Sequence, residues 1–206
     1  MVKAKEALER LRAGNQRFLS DARTDVCISP ARRSELIDGQ EPFAIVLGCS
    51  DSRVPLEVIF DQGIGDLFVI RVAGNIVAPS LLGSVEFAAE SFGTRLVVVL
   101  GHSQCGAVRA TLQELKRPSD NRSPNLRSIV GRIQPAVEGL MGNHADEDPD
   151  ELLGRAVRAN IRASTNQLRH GSEILEKLIE SKKLLVVGAE YSLATGQVDF
   201  FDGVPE

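Results

Sequence analysis

The sequence predicts an α/β fold: a single domain with a mostly parallel central sheet flanked by helices. Four short apolar runs carry this prediction: FAIVL at 43–47, LFVI at 67–70, LVVVL at 96–100 and LLVV at 184–187. Continuous apolar runs of this kind are typical of parallel strands that are covered on both faces. Helical segments separate the runs, and strands that alternate with helices indicate a parallel sheet.

The chain begins with a predicted amphipathic helix at 3–19, because Leu8, Leu11 and Phe18 recur at roughly helical spacing. A polar stretch punctuated by Pro30 and Gly39 then leads to the first strand.

Further helices are predicted between and after the strands. They span 80–92, 107–115, 126–140 and 151–181. The last is long and charged, and we expect a kink or a break within it. Residues 197–201 follow a turn-like Ala-Thr-Gly sequence and predict an added antiparallel edge strand. The polar segment 143–150 is interpreted as a surface loop, so no linker divides the chain.

Composition and charge exclude several classes of function. The 206 residues are 43% hydrophobic and 25% charged, which is the usual balance of a soluble globular domain. A net charge of −4 argues against a nucleic-acid-binding surface, which needs basic side chains. No apolar run is long enough to span a bilayer, and the first residues lack the continuous apolar segment of a secretory signal. We expect neither nucleic acid nor a membrane as a partner.

The three cysteines, Cys27, Cys49 and Cys105, are too few and too odd in number for a disulfide framework. A reducing cytoplasm is the simplest setting, and there the thiols are free to bind metal or to react. Cys27 lies in a polar segment with no partner motif, and we assign it no functional role.

Two strand ends carry unusual residues. The first strand leads into GCSDSR at 48–53, and the strand at 96–100 leads into GHSQCG at 101–106. If these strands are neighbours, Cys49, His102 and Cys105 converge, because parallel strands end at the same edge of a sheet. Two thiolates and one imidazole are a good tetrahedral zinc set with the fourth position open, which is typical of a catalytic site.

Each of these residues also has a simpler interpretation. A lone cysteine at a strand end is most often a small buried hydrophobic residue, and Asp51 with Arg53 can form a surface ion pair of little energetic value. The occurrence of both cysteines and the histidine at two equivalent strand ends favours the metal site.

The two motifs resemble those of the β-class carbonic anhydrases. The Cys-Ser-Asp-Ser-Arg motif at 49–53 and the His-x-x-Cys motif at 102–105 carry the resemblance. It extends from about Asn15 to Tyr191 and includes Gln-Glu-Pro at 40–42, Gly-Asp-Leu-Phe-Val at 65–69 and Arg-Val-Ala-Gly-Asn at 71–75.

The resemblance implies a zinc ion held by Cys49, His102 and Cys105. It also implies that Asp51 and Arg53 form a dyad beside the metal, with Asp51 as a conditional fourth ligand in a closed state of the site. The implied reaction is the reversible hydration of CO2 to bicarbonate and a proton by zinc-bound hydroxide, which makes the protein a carbonate dehydratase, a zinc lyase.

The resemblance also implies a pocket for CO2 and bicarbonate. Its expected residues are Gln40, Phe68, Ala73 and Phe87, some of them contributed across a dimer interface, and the backbone N–H of Gly106, which helps to orient the substrate. Many relatives have Val in place of Ala73 and Tyr in place of Phe87, and both changes keep the pocket apolar.

In this family the N-terminal helix wraps onto a partner subunit. The resemblance therefore implies a homo-oligomer built from dimers, dimeric or tetrameric, with residues 1–40 as a helical arm and 41–206 as the α/β core. Partner packing would account for the apolar stripe of Leu8, Leu11 and Phe18, and packing within the chain is the alternative.

A further departure concerns regulation. Relatives with an allosteric bicarbonate site carry a Trp three residues before the first zinc cysteine, where this chain has Val46 and where it contains no Trp at all. Arg71 and Tyr191 match the other two members of that site, so the trio is incomplete.

Two rival functions remain open from the sequence, and a third is disfavoured. Relatives of this family hydrolyse carbonyl sulfide or carbon disulfide with a similar zinc site. A non-catalytic zinc protein would have a permanent fourth protein ligand, and Asp51 is available for that role. Zinc deaminase chemistry is disfavoured, because the expected His-x-Glu and Pro-Cys-x-x-Cys motifs do not occur.

Overall fold

The structure, a computed structural model, describes residues 1–22, 29–118, 123–141 and 148–205. Cys27 and most of the loop predicted at 143–150 lie outside the described residues.

A five-stranded sheet runs through the domain in the order β2-β1-β3-β4-β5. Its strands are β1 (Ala44–Gly48), β2 (Leu67–Arg71), β3 (Leu96–His102), β4 (Leu185–Tyr191) and β5 (Val198–Asp202). The first four strands are parallel, and β5 pairs with β4 in the antiparallel direction. The predicted α/β class, the mostly parallel sheet and the antiparallel edge strand are confirmed.

Eight helices accompany the strands in the described part of the chain. They are α1 (Ala4–Leu19), α2 (Pro30–Glu35), α3 (Leu56–Ile59), α4 (Pro79–Ser91), α5 (Gly106–Lys116), α6 (Pro124–Val137), α7 (Pro149–His170) and α8 (Glu173–Glu180). The long helix predicted at 151–181 is broken between α7 and α8, where Gly171 ends the first helix and the Ser172 side chain caps the second.

The apolar runs form strands because both faces of the sheet are covered. Alternate residues of a strand point to opposite faces, and in β1 Ile45 and Leu47 join one buried cluster while Ala44 and Val46 join the other. Helices α4 to α8 cover the first face, and α1 and α3 cover the second. All residues of β1 and β3 are buried, which explains the lack of polar alternation in their sequences.

The apolar stripe of α1, formed by Leu8, Leu11 and Phe18, packs within its own chain. Leu8 and Leu11 are buried, and they belong to the cluster that contains Val46 of β1. The buried Asn15 donates to the backbone oxygens of Ile59 and Gly196, at 3.3 and 3.0 Å. Packing inside the chain, the alternative to partner packing, therefore explains the buried part of this stripe.

Strand order decides where the site can form. β1 pairs directly with β3, so the segments that follow Gly48 and Leu100 emerge side by side. β2 lies at the outer edge of the sheet, and its first three residues are only half-buried.

Candidate metal centre and active site

Three potential metal ligands meet at the carboxyl ends of β1 and β3. The ligand atoms of Cys49, His102 and Cys105 all lie within 4.8 Å of one another, and all three residues are buried. Cys49 follows β1, His102 is the last residue of β3, and Cys105 is the cap residue of α5. Gln104 adopts a left-handed conformation, with φ of 57°, in the turn between His102 and Cys105. The structure thus brings together the three residues that the strand-end argument predicted.

The imidazole of His102 is oriented for metal binding. Its Nδ1 lies 2.9 Å from the backbone oxygen of Ser103, a contact that favours the tautomer with the proton on Nδ1. The opposite nitrogen, Nε2, is buried and has no hydrogen-bond partner among the described residues. A buried nitrogen lone pair without a donor is costly, and a metal ion at this position satisfies it.

The two thiols also fit a cation. The hydrogen bond between the two thiols lowers the pKa of Cys49 and raises the pKa of Cys105. The Gly74 amide, 3.3 Å from Cys49 Sγ, further stabilises the Cys49 thiolate. The two sulfurs lie close enough together for one divalent cation to bind both as thiolates. The donor set fits zinc.

Asp51 and Arg53 form a two-pronged ion pair beside the ligands. Arg53 Nε lies 2.9 Å from Asp51 Oδ1, and its terminal nitrogen lies 2.7 Å from Asp51 Oδ2. The Arg53 guanidinium holds the pKa of the Asp51 carboxyl well below its usual range, so Asp51 is a carboxylate. Asp51 Oδ2 also lies 3.7 Å from His102 Nε2, and this places the carboxylate at the margin of the ligand set.

Arg71 fixes the backbone of the loop that carries Cys49 and Asp51. Its Nε donates to the Cys49 oxygen at 3.0 Å, and its terminal nitrogen donates to the Asp51 oxygen at 2.7 Å. Sequence reasoning noted Arg71 only as one member of an incomplete regulatory trio. Its position at the end of β2, in register with Gly48, is the signal that could have revealed this contact.

Two of the expected substrate contacts lie next to the ligands. Gly106 directly follows Cys105 and is the first residue of α5, so its N–H belongs to the first-turn amides that have no partner within a helix. Ala73 is half-buried in the short 3₁₀ turn Ala73–Asn75 after β2 and directly precedes Gly74.

The other expected pocket residues lie elsewhere in the chain. Gln40 precedes β1 and lines a cavity of about 410 Å³ at the amino ends of the strands, together with Phe92. Phe68 lies near the start of β2, and its ring centroid is 6.3 Å from that of Phe87 in α4. Phe87 is 54% exposed and packs edge-on against Phe92, with centroids 5.4 Å apart. Within a single chain, Gln40 does not lie at the ligand cluster. Phe92, which contacts both Phe68 and Phe87, was not among the residues that the sequence analysis singled out.

The structure shows the surroundings of the three residues at the positions of the regulatory trio. Val46 is fully buried in the same apolar cluster as Tyr191, and burial raises the pKa of the Tyr191 hydroxyl. Arg71 is engaged with two backbone oxygens of the site loop.

Comparison with known proteins points to one family. A family model described as carbonic anhydrase matches residues 44–198. A carbonic anhydrase of Mycolicibacterium smegmatis is 37% identical over 194 residues, which cover 94% of this chain and 91% of that protein.

Solved structures agree with the sequence comparison. The β-carbonic anhydrase CcaA aligns with a TM-score of 0.76 at 26% identity, covering 97% of this chain and 93% of that one. A structure from work on two tetrameric β-carbonic anhydrases of Sordaria macrospora aligns with a TM-score of 0.72 at 26% identity, covering 84% and 87%.

Proposed function

This chain belongs to the β class of the carbonic anhydrase family, and from that premise we propose how its residues carry out the reversible hydration of CO2 to bicarbonate and a proton. The observation that carries the proposal is the buried cluster of Cys49, His102 and Cys105. This cluster is typical of the zinc site of the family. Among the described residues, three side chains contribute ligand atoms to this cluster. A tetrahedral zinc ion bound by these three would have one open position.

Cys49, His102 and Cys105 would hold a zinc ion, which would supply hydroxide near neutral pH by lowering the pKa of water, as it does in the three-histidine carbonic anhydrases. The contribution of this chain is to hold the two sulfurs and the Nε2 nitrogen in place. All three ligand residues are buried, so the surrounding side chains restrict their movement.

Asp51 orients the attacking oxygen. Its carboxylate accepts a hydrogen bond and does not donate one, because Arg53 keeps it ionised. A hydrogen bond accepted by Asp51 Oδ2 holds the O–H away from the substrate and leaves an oxygen lone pair free to attack the CO2 carbon. Arg53 binds both carboxylate oxygens and so keeps Asp51 from becoming the fourth ligand.

The substrate pocket is apolar, which suits the small neutral molecule CO2. We assign Phe68, Ala73 and Phe87 to its apolar wall, and Gln40 and the Gly106 N–H to its polar contacts. Gln40 and the aromatic residues lie toward the amino ends of the strands in their own chain, so we assign them to the site of a second subunit.

We further propose a homo-oligomer built from dimers. The exposed Phe87 and the half-buried edge strand β2 support an interface on this side of the sheet. Residues 1–40 would act as an arm on the core at 41–206, and α1 would contact the partner beside the cavity that Met1 and Gln40 line. Either a dimer or a tetramer satisfies this arrangement.

The setting that we propose is the cytoplasm, because the site needs two reduced thiols. None of the described helices has the length and apolar character needed to cross a membrane. We propose neither a membrane nor a nucleic acid as a partner, consistent with the net charge of −4.

A comparison of kcat/KM for CO2, carbonyl sulfide and carbon disulfide tests the substrate. We expect CO2 hydration to be much the most efficient reaction, because Asp51 and Arg53 are both in place. A higher kcat/KM for either sulfur compound would show that the site serves a different hydrolysis.

A further inference from the structure

A strained turn lies directly behind Cys49. In the turn Ala73–Asn75, Gly74 and Asn75 both have positive φ values, of 71° and 44°. Successive left-handed residues are uncommon, and a non-glycine residue in this conformation needs support from its surroundings. The turn follows Val72, whose backbone N–H and oxygen extend the pairing with β1 through Gly48 and Ser50.

Gly74 cannot be replaced without disturbing this turn. A Cβ on Gly74 would lie 2.8 Å from Ile133 Cδ1 and 3.1 Å from Ala107 Cβ. The absence of a side chain lets the backbone approach closely enough for the Gly74 N–H to donate to Cys49 Sγ at 3.3 Å.

The other side of Gly74 is held by a residue far away in the sequence. Asn160 lies in α7 and is only 2% exposed. Its Nδ2 donates to the Gly74 oxygen at 2.7 Å. The Gly74 residue is therefore fixed from two directions, by a side-chain amide on its oxygen and by a ligand sulfur on its N–H.

We propose that Asn160 is a positioning residue for the metal centre, because it holds the Gly74 turn so that the Gly74 N–H points at Cys49 Sγ. This inference rests on the proposed zinc site. Groups that hydrogen-bond to metal ligands restrict the orientation of those ligands and tune their charge. Asn160 acts one step further out, through the backbone of Gly74.

Loss of the Asn160 amide has a direct consequence for the turn. The Gly74 oxygen would be buried without its donor, which is unfavourable, so the turn would shift to find another partner. A shift of the turn moves the Gly74 N–H away from Cys49 and leaves the sulfur less restrained. The metal-free protein then holds the three ligand side chains less firmly in the arrangement that zinc requires.

The test measures zinc affinity in the folded protein. Asn160→Leu has a similar volume and no donor, and Asn160→Ser is a smaller change whose hydroxyl is too short to reach the Gly74 oxygen. The zinc dissociation constant is measured by competition with a chromophoric chelator at fixed pH, after circular dichroism has established that each variant is folded. We expect both variants to raise this constant about tenfold. The thiolate-to-metal charge-transfer band of the cobalt(II)-substituted protein should change in the same variants.

Thr165→Val supplies the matched control. Thr165 is fully buried in the same helix and its hydroxyl donates to Asp202, so this variant also loses a side-chain hydrogen bond, one that is partly buried. We expect it to lower the thermal midpoint and to leave zinc affinity unchanged. The proposal is overturned if the Asn160 variants bind zinc as tightly as the unmodified protein, or if Thr165→Val weakens zinc as much as they do. An unmodified protein that binds no zinc would instead contradict the proposed function.

Discussion

At the scale of single residues, the proposed mechanism depends on a carboxylate that lies close to the metal ligands and is paired with an arginine. Asp51 Oδ2 is 3.7 Å from His102 Nε2, and Arg53 occupies both of its oxygens. The strongest competitor of a zinc ion for this carboxylate is therefore the permanently charged guanidinium two residues away.

Arg53→Ala removes that competitor. We expect the Asp51 carboxylate to turn onto the metal, fill the open position and reduce CO2 hydration about 100-fold or more, while zinc stays bound. Activity should recover in part at high pH, because hydroxide then competes with the carboxylate. The pH dependence of CO2 hydration and the zinc content of the same sample check this.

The double variant Asp51→Ala with Arg53→Ala is the control. It should retain zinc and an open position, but it lacks the hydrogen bond that orients the attacking oxygen. A structure of Arg53→Ala near neutral pH with Asp51 turned away from the metal would refute the gatekeeping role of Arg53.

Bicarbonate should inhibit this protein without cooperativity. Val46 is buried among apolar side chains and offers no donor, and Arg71 is already bonded to the oxygens of Cys49 and Asp51. The measurement is the rate of CO2 hydration against bicarbonate concentration. Sigmoidal inhibition that disappears in Tyr191→Phe would contradict the expectation.

The sequence predicted the ligand cluster on one condition, that the two strands before the motifs are neighbours, and β1 does pair with β3. The resemblance implied the Asp51–Arg53 pair. Both motifs directly follow strands, and the pair is only two residues apart. Asn160 could not be predicted in this way, since its contact with Gly74 spans 86 residues and depends on how α7 crosses the sheet.

At the scale of elements, the strands were predicted to within a few residues because continuous apolar runs of four or five residues mark them. β3 extends to His102, so the histidine belongs to the strand and does not follow it. Helices α2 and α3 were missed, because six and four residues are too few to show helical periodicity.

The packing of α1 depends on a glycine. A Cβ on Gly14 would overlap the backbone oxygen of Phe60, so α1 can approach this close only without a side chain there. Gly14→Ala should therefore destabilise the protein by about 1–3 kcal/mol, although alanine is the better helix former. Urea unfolding measures the change.

Gly131→Ala in α6 is the matched substitution, since a Cβ there meets nothing within 4 Å. It should stabilise the protein by about 0.5–1 kcal/mol. Equal effects of the two substitutions would show that α1 does not pack against Phe60 as described.

At the scale of the whole molecule, one chain holds the metal ligands at the carboxyl ends of the strands and several proposed pocket residues toward their amino ends. The resemblance implied that some pocket residues come from across a dimer interface, but it did not say which of them do, because that depends on the end of the sheet at which each residue lies. The exposed Phe87 and the cavity lined by Gln40 and Phe92 mark the face that a second subunit would cover.

Phe87→Asp should weaken association of the subunits. A carboxylate buried in an apolar interface without a partner costs several kcal/mol, so the dissociation constant of the dimer should rise more than about 100-fold. Sedimentation velocity over a concentration series measures it. Leu126→Asp, at a site in α6 that is 55% exposed and outside the aromatic cluster, should leave association unchanged. If the Phe87→Asp variant sediments in the same way as the unmodified protein, the interface lies elsewhere.

The central claim is that Cys49, His102 and Cys105 hold a catalytic zinc. Stopped-flow measurement of CO2 hydration, with the zinc content determined on the same sample, tests it most directly. We predict one zinc per chain, loss of activity when a chelator removes it, and recovery when zinc is returned. Cys49→Ser should lose zinc and activity together, because a neutral alcohol replaces a thiolate ligand, whereas Cys27→Ser should keep both. A protein that contains one zinc per chain without hydrating CO2, or a Cys49→Ser variant with full zinc and full rate, would contradict the claim.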